Sequence, residues 1–118
     1  MIPEIKRFHS PDIDDLDVFT PTEIDNFCFL LQLIASPKGM DGEESFDIII
    51  CTPLWLAENI KESEPIIGRH HLIVKYYDYN LIMNMIKEYC TTCIGTNWNE
   101  CATKLGRIGK WEFEDYQE

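Results

Sequence analysis

The stretch that most limits the folds open to this chain is residues 45–51, SFDIIIC, which runs straight into Thr52-Pro53. Its β-branched and apolar residues follow the turn residues Asp41-Gly42 and predict a buried strand. Thr52 offers a side-chain oxygen to the free N–H groups of a helix start, and Pro53 presets φ at the first helical position. Leu54-Trp55-Leu56-Ala57 is therefore expected to form a short helix or turn directly after the strand. Neighbouring strands must satisfy the buried strand's backbone N–H and C=O groups, so the chain has to build a sheet and cover it. With 118 residues there is length for one such unit, and residues 1–118 are expected to form a single domain. At 45% hydrophobic, the composition supports one core without metal or disulfide staples.

The remaining elements are read from period and punctuation. Residues 2–8 carry Ile2, Ile5 and Phe8 among Glu4, Lys6 and Arg7 and predict a short strand. The Asp-rich segment 11–18 contains Pro11 and reads as a loop or bulged edge. Thr20-Pro21-Thr22-Glu23 has the makeup of a helix start. Ile24, Phe27, Cys28, Leu31 and Ile34 then follow i, i+3, i+4, i+7 spacing, widened by Phe29, Leu30 and Leu33, so a well-buried helix is expected over 24–34. Residues 61–68 are polar, with Pro65 and Gly68, and read as a loop. Residues 69–77 predict a third strand, and Asp78 caps a helix bearing Leu81, Ile82, Met85, Ile86, Tyr89 and Cys93. Asn97 and Glu100 form a second capping box, opening a shorter helix with Trp98, Cys101, Ala102, Leu105 and Ile108. In residues 110–116, Trp111, Phe113 and Asp115 alternate with Glu112, Glu114 and Tyr116, which predicts a final strand. The expected order is β-α-β-(short α)-β-α-α-β. That is an α+β two-layer sandwich, its sheet of about four strands packed by two or three helices.

Charge narrows the partners. Lys plus Arg is 10 and Asp plus Glu is 21, a net of −11. Residues 1–68 hold 14 acidic and 4 basic residues, against 7 and 6 in 69–118, so the first part carries nearly all the excess. A phosphate-binding protein needs a cationic footprint, so nucleic acid is not an expected direct partner, and neither is an anionic membrane. The clusters Asp12, Asp14, Asp15, Asp17; Glu43, Glu44, Asp47; Glu58, Glu62, Glu64; and Glu112, Glu114, Asp115, Glu118 have two readings. They keep the protein dispersed, or they form a face that steers a basic partner. The N-terminus lacks the apolar core of a secretory signal. The apolar runs 27–31 and 48–51 fall far short of the roughly 18–20 residues a membrane helix needs. Five cysteines, an odd number, read as reduced thiols in a cytoplasmic protein.

No arrangement of residues makes a strong catalytic signature. Cys90-Thr91-Thr92-Cys93 is a CxxC with Cys101 further on, but zinc requires a fourth ligand. The pair also falls at the end of the predicted helix, away from the N-terminus that would activate a thiol. Core packing is the simpler reading of all three. His70 and His71 are adjacent, so on a strand they face opposite sides. Glu112 and Glu114 would share one side of the last strand, about 7 Å apart, close enough to flank a bond or hold a metal, or simply to be solvated. A small acidic hydrolase, or a metal-binding or redox domain using Glu112/Glu114, His70/His71 or Cys90/Cys93/Cys101, is the alternative class. Trp55, Trp98 and Trp111 fall in apolar patterns and are expected in the core. Tyr76, Tyr77, Tyr79 and Tyr116 are candidates for an aromatic patch.

Three pieces occur in a distinctive order: Thr52-Pro53-Leu54-Trp55-Leu56, then Gly68-Arg69-His70-His71-Leu72, then Trp111-Glu112-Phe113-Glu114-Asp115-Tyr116. Over nearly its whole length the chain resembles the immunity protein 8 family of bacterial polymorphic toxin systems. The resemblance rests on Trp55, Gly68, Arg69, Trp111 and Tyr116. It implies an α+β cytoplasmic protein that binds and neutralises a toxin encoded beside it, often a nuclease, and is not itself an enzyme. It carries over no catalytic residue, cofactor or metal. A nuclease cleft is cationic, so the expected toxin-contact set is Asp12, Asp14, Asp15, Asp17, Glu112, Glu114 and Asp115. Arg69 is a candidate clamp on one of these carboxylates, through paired hydrogen bonds.

Overall fold

A computed structural model describes residues 1–115 of the chain. In order its elements are β1 (Pro3–His9), β2 (Cys28–Pro37), β3 (Glu44–Cys51), α1 (Pro53–Asn59), β4 (His71–Ile73), α2 (Tyr79–Thr91), α3 (Trp98–Leu105) and β5 (Lys110–Trp111). β1, β2 and β3 run antiparallel in succession. β2 pairs with the full length of β3, so β4 and β5 share the other edge of β3. β4 lies parallel against Ile49–Cys51, and β5 antiparallel against Phe46 and Asp47. A parallel neighbour needs a crossover, and α1 with the loop after it supplies one. The result is a five-stranded mixed sheet with three helices, an α+β fold.

The strand at 44–51 and the helix after it form as their residues dictate. Thr52 is fully buried, and its Oγ1 accepts the Trp55 N–H at 3.2 Å, the cap expected of a Thr-Pro start. Asp78 caps α2 by accepting the Leu81 N–H at 3.1 Å. Asn97 Oδ1 accepts the Glu100 N–H at 2.9 Å, and the Glu100 carboxylate accepts the Thr96 N–H at 2.8 Å. That returned bond to Thr96 holds the Glu100 carboxyl below its usual range. The buried face of α2 is Ile82, Met83, Ile86 and Cys90. Leu81 and Met85, expected on that face, are about half exposed.

The expected helix over 24–34 is not there. Residues 28–37 are β2, the strand between β1 and β3, and Thr20-Pro21 opens a loop. Every position from Cys28 to Leu31 is apolar, so the run fits period 3.6 and period 2 equally well. The tertiary setting breaks the tie. Phe29, Leu31, Leu33 and Ala35 point to the core, while Leu30 and Gln32 are half-buried on the opposite face. A strand here gives β1 its partner and covers one edge of β3 along its full length, both of which a helix would leave unpaired.

The third and last strands are also shorter than expected. β4 covers His71–Ile73 alone. β5 stops at Trp111, residues 112–115 turn, and Tyr116 lies outside the described residues. Glu112 and Glu114 therefore do not share one side of a strand.

The core forms between the sheet and α2 and α3. Phe46, Ile48 and Ile50 of β3 meet Leu31 and Leu33 of β2, the α2 face, and Ala102 and Leu105 of α3. Just before β5, Gly109 passes close over β3. A Cβ there would lie 2.8 Å from Ile48 Cγ1 and 3.1 Å from Phe46 Cβ. Gly109→Ala is expected to cost about 1–3 kcal/mol through overpacking, read as a lower urea midpoint at unchanged m-value.

Candidate partner-binding surface

The end of the described chain is a clasp. Trp111 Nε1 donates to a Glu44 carboxylate oxygen at 2.9 Å. The Glu112 N–H donates to the Ser45 carbonyl at 3.0 Å, and the Glu112 carboxylate accepts the Ser45 N–H at 2.9 Å. Arg69 forks Glu114 with bonds of 2.8 and 3.2 Å, as the clamp reading expected. His70, at φ +63°, places Nε2 2.8 Å from the Gly106 carbonyl and 3.7 Å from Glu114. The three distinctive sequence pieces thus play two parts. Thr52-Pro53 starts the crossover, while Arg69 and the residues after Trp111 lock its far end. Trp111 stacks on Phe46 at 6.3 Å, and Trp98 meets the same ring edge-on at 6.4 Å. Trp55, Trp98 and Trp111 are half-buried rather than fully internal. Gly68 is exposed, with open space where a Cβ would stand.

The clasp borders a cleft of about 300 Å³ lined by Asn99, Thr103, Phe113, Glu114 and Asp115, with Arg69 at its side. Asp115 is exposed at φ +61°. It makes no hydrogen bond or ion pair among the described residues.

A second acidic surface is the loop after β1. Asp12 Oδ2 accepts the Leu30 N–H at 2.9 Å, taking over where β1 ends opposite Gln32. Asp15 accepts the Asp17 N–H at 3.0 Å. Asp17 accepts the Tyr79 hydroxyl at 3.0 Å, tying the loop to α2. Burial, this bond and the charges of Asp17 and Asp15 push the Tyr79 hydroxyl above its ordinary range. Ile13 is buried and Leu16 half-buried beneath the loop. A cleft of about 340 Å³ opens between His9, Asp14, Asp15, Asp17 and Tyr79. Asp14 has no internal partner among the described residues. Three of the four loop aspartates thus hold the loop's shape, and their negative charge stays at the surface.

The chemistry-bearing candidates are dispersed. All five cysteines are free thiols, and Cys51, Cys90, Cys93 and Cys101 are buried. Burial pushes Cys90 up to about 12 and Cys28 to about 11, the reverse of an activated thiolate. His70 and His71 bond separate backbone carbonyls, those of Gly106 and Arg69. Among the described residues no three His, Cys, Asp or Glu side chains stand together to hold a metal. No described helix is long and apolar enough to cross a membrane. Tyr77 is half-buried, edge-on to Phe19 and Phe27 at 5.4 and 5.5 Å. Tyr76 is exposed.

One feature went unread in the sequence. Ile66 and Ile67, inside the polar loop, are exposed. The signal was two adjacent isoleucines between Pro65 and Gly68 with no periodic partners.

The family model described as Immunity protein 8 matches residues 3–116. No curated protein and no solved structure matches the chain.

Proposed function

The chain belongs to the immunity protein 8 family, and on that premise we propose that it protects its cell by binding a toxin with a cationic active cleft, a nuclease, encoded by a neighbouring gene. Membership in the family makes it an immunity protein against a toxin. The finer reading is that it acts in the cytoplasm, as one domain, by occupancy rather than by catalysis. The observation that carries this reading is the pinned acidic surface. Asp12, Asp15 and Asp17 are fixed by hydrogen bonds from Leu30 of β2, from within the loop and from Tyr79 of α2, and Glu112 and Glu114 are fixed within the clasp. Asp12, Asp15, Asp17 and Glu112 accept N–H or O–H bonds and keep their charge. They present negative potential with little ordering left to do on binding, which favours fast association with a basic partner, whereas the charge of Glu114 is offset by Arg69. Asp14 and Asp115 add charges that have no partner among the described residues. The proposed contact set is Asp12, Asp14, Asp15, Asp17, Glu112, Glu114 and Asp115. Within it, Asp14 and Asp115 are the carboxylates that no hydrogen bond or ion pair among the described residues engages.

Co-expression with the toxin domain tests the reading. The wild-type chain is expected to restore growth. Asp14→Lys with Asp115→Lys is expected to slow association at least about tenfold at low salt and to flatten its salt dependence, with a thermal midpoint lowered by no more than the roughly 1 kcal/mol that Lys costs in the left-handed backbone at residue 115. Failure of the wild-type chain to bind or rescue removes the proposal. Rescue with association indifferent to both reversals removes only the contact set.

A further inference from the structure

Every residue from 57 to 69, the end of α1 and the crossover that follows it, is exposed. Inside it Ile60 is 45%, Ile66 40% and Ile67 84% exposed. Single exposed aliphatics are ordinary on a protein surface, but adjacent isoleucines raised on a wholly exposed segment are not explained by folding. The segment is held firmly at both ends. Thr52 caps α1 on one side, and the Arg69–Glu114 fork and the His70–Gly106 bond close the other. Between them the Glu64 N–H donates to the Lys61 carbonyl at 3.0 Å, and Pro65 restricts the backbone just before Ile66. The tip therefore continues α1 at one end and is fastened by the Arg69–Glu114 fork at the other.

Its charge selects the occupant. Both cations of the segment are already paired, Lys61 with Glu64 at 3.8 Å and Arg69 with Glu114 at 2.8 Å. Glu62 has no partner among the described residues, and Glu58 bonds only the neutral Asn26 amide, at 2.8 Å. An apolar pair beside unneutralised carboxylates has the anatomy of an interface centre with a charged rim. A second copy of this chain would bring the same −11 charge and be repelled, as would an anionic bilayer. We propose that Ile66 and Ile67 form an apolar anchor that enters a pocket on the basic toxin, with Glu58 and Glu62 facing Lys or Arg residues at the pocket's rim. This rests on the immunity reading above and adds to the acidic contact set a region absent from it.

The test uses the full chain and the neighbouring toxin domain, with binding kinetics followed by surface plasmon resonance and folding by thermal unfolding. Ile66→Ser with Ile67→Ser is expected to raise the dissociation rate at least about tenfold, the scale of one lost anchor, without moving the thermal midpoint. Glu62→Lys is expected to slow association several-fold at low salt and to leave dissociation nearly unchanged. Wild-type kinetics for the double serine variant would overturn the anchor while leaving the immunity reading standing. A thermal midpoint lowered by the serines would also overturn it, by giving the isoleucines a structural role. Absence of any wild-type binding would remove both readings.

Discussion

Replacing Phe46 with alanine is expected to cost about 3–5 kcal/mol of unfolding free energy, the range for removing a fully buried aromatic side chain. Phe46 is 0% exposed and lies where three parts of the fold meet. It stands across from Leu33 of β2 and from Trp111 of β5, with the Trp98 ring of α3 at its edge. The stack on Trp111 is nearly parallel, with 10° between the ring planes. Removing the ring opens a cavity that Gly109, having no side chain, cannot fill. The clasp should therefore loosen along with the core. Guanidinium titration gives the magnitude, and amide exchange at Ser45 and Glu112, whose N–H groups close the clasp, locates the loss. A cost below about 1 kcal/mol would contradict the packing of β5 on β3.

The second large effect separates strand from helix in residues 28–37. Leu31, at 0% exposure across from Ile48, is expected to cost about 2–5 kcal/mol on change to alanine. Leu30, its half-buried neighbour on the other face, is expected to cost about 1 kcal/mol. On a broad buried helix face, as periodicity alone suggested, the two substitutions would cost about the same. Equal urea midpoints for Leu30→Ala and Leu31→Ala would thus argue against the strand, and widely separated ones for it.

Phe27–Phe29 and the residues after them are so uniformly apolar that the pattern contains both periods at once, and a Thr-Pro-x-Glu start tipped it towards helix. Where polar residues interrupt the apolar ones, as along α2 and α3, the period is unambiguous and both helices stand where expected. Three of the four expected caps form, because a side-chain oxygen next to free N–H groups is a local interaction: Thr52, Asp78 and Asn97 cap the helices they precede, while Thr20 precedes a segment that the sheet takes up. The candidate surface was legible only as composition. The aspartates of 12–17 were evident in the sequence, but not that Asp12 supports β2 or that Asp17 reaches Tyr79 across 62 positions. Glu112 and Glu114 read as one face of a strand. They are instead two separate fasteners, because β5 ends at Trp111 and the chain turns.

Local chemistry, then, is what the amino-acid order determined without help: the central strand at 45–51, the helix starts at Thr52, Asp78 and Asn97, the acidic excess, and the motif string that marks the family. Tertiary structure decided everything that depends on residues far apart meeting. It made residues 28–37 a strand by giving them partners on both sides. It joined Arg69 to Glu114 and turned a terminal motif into a clasp. It also left Ile66 and Ile67 outside the core. The physical reason is that caps, turns and charge act over a few residues, whereas sheet pairing and burial are settled by which surfaces the whole chain can cover at once.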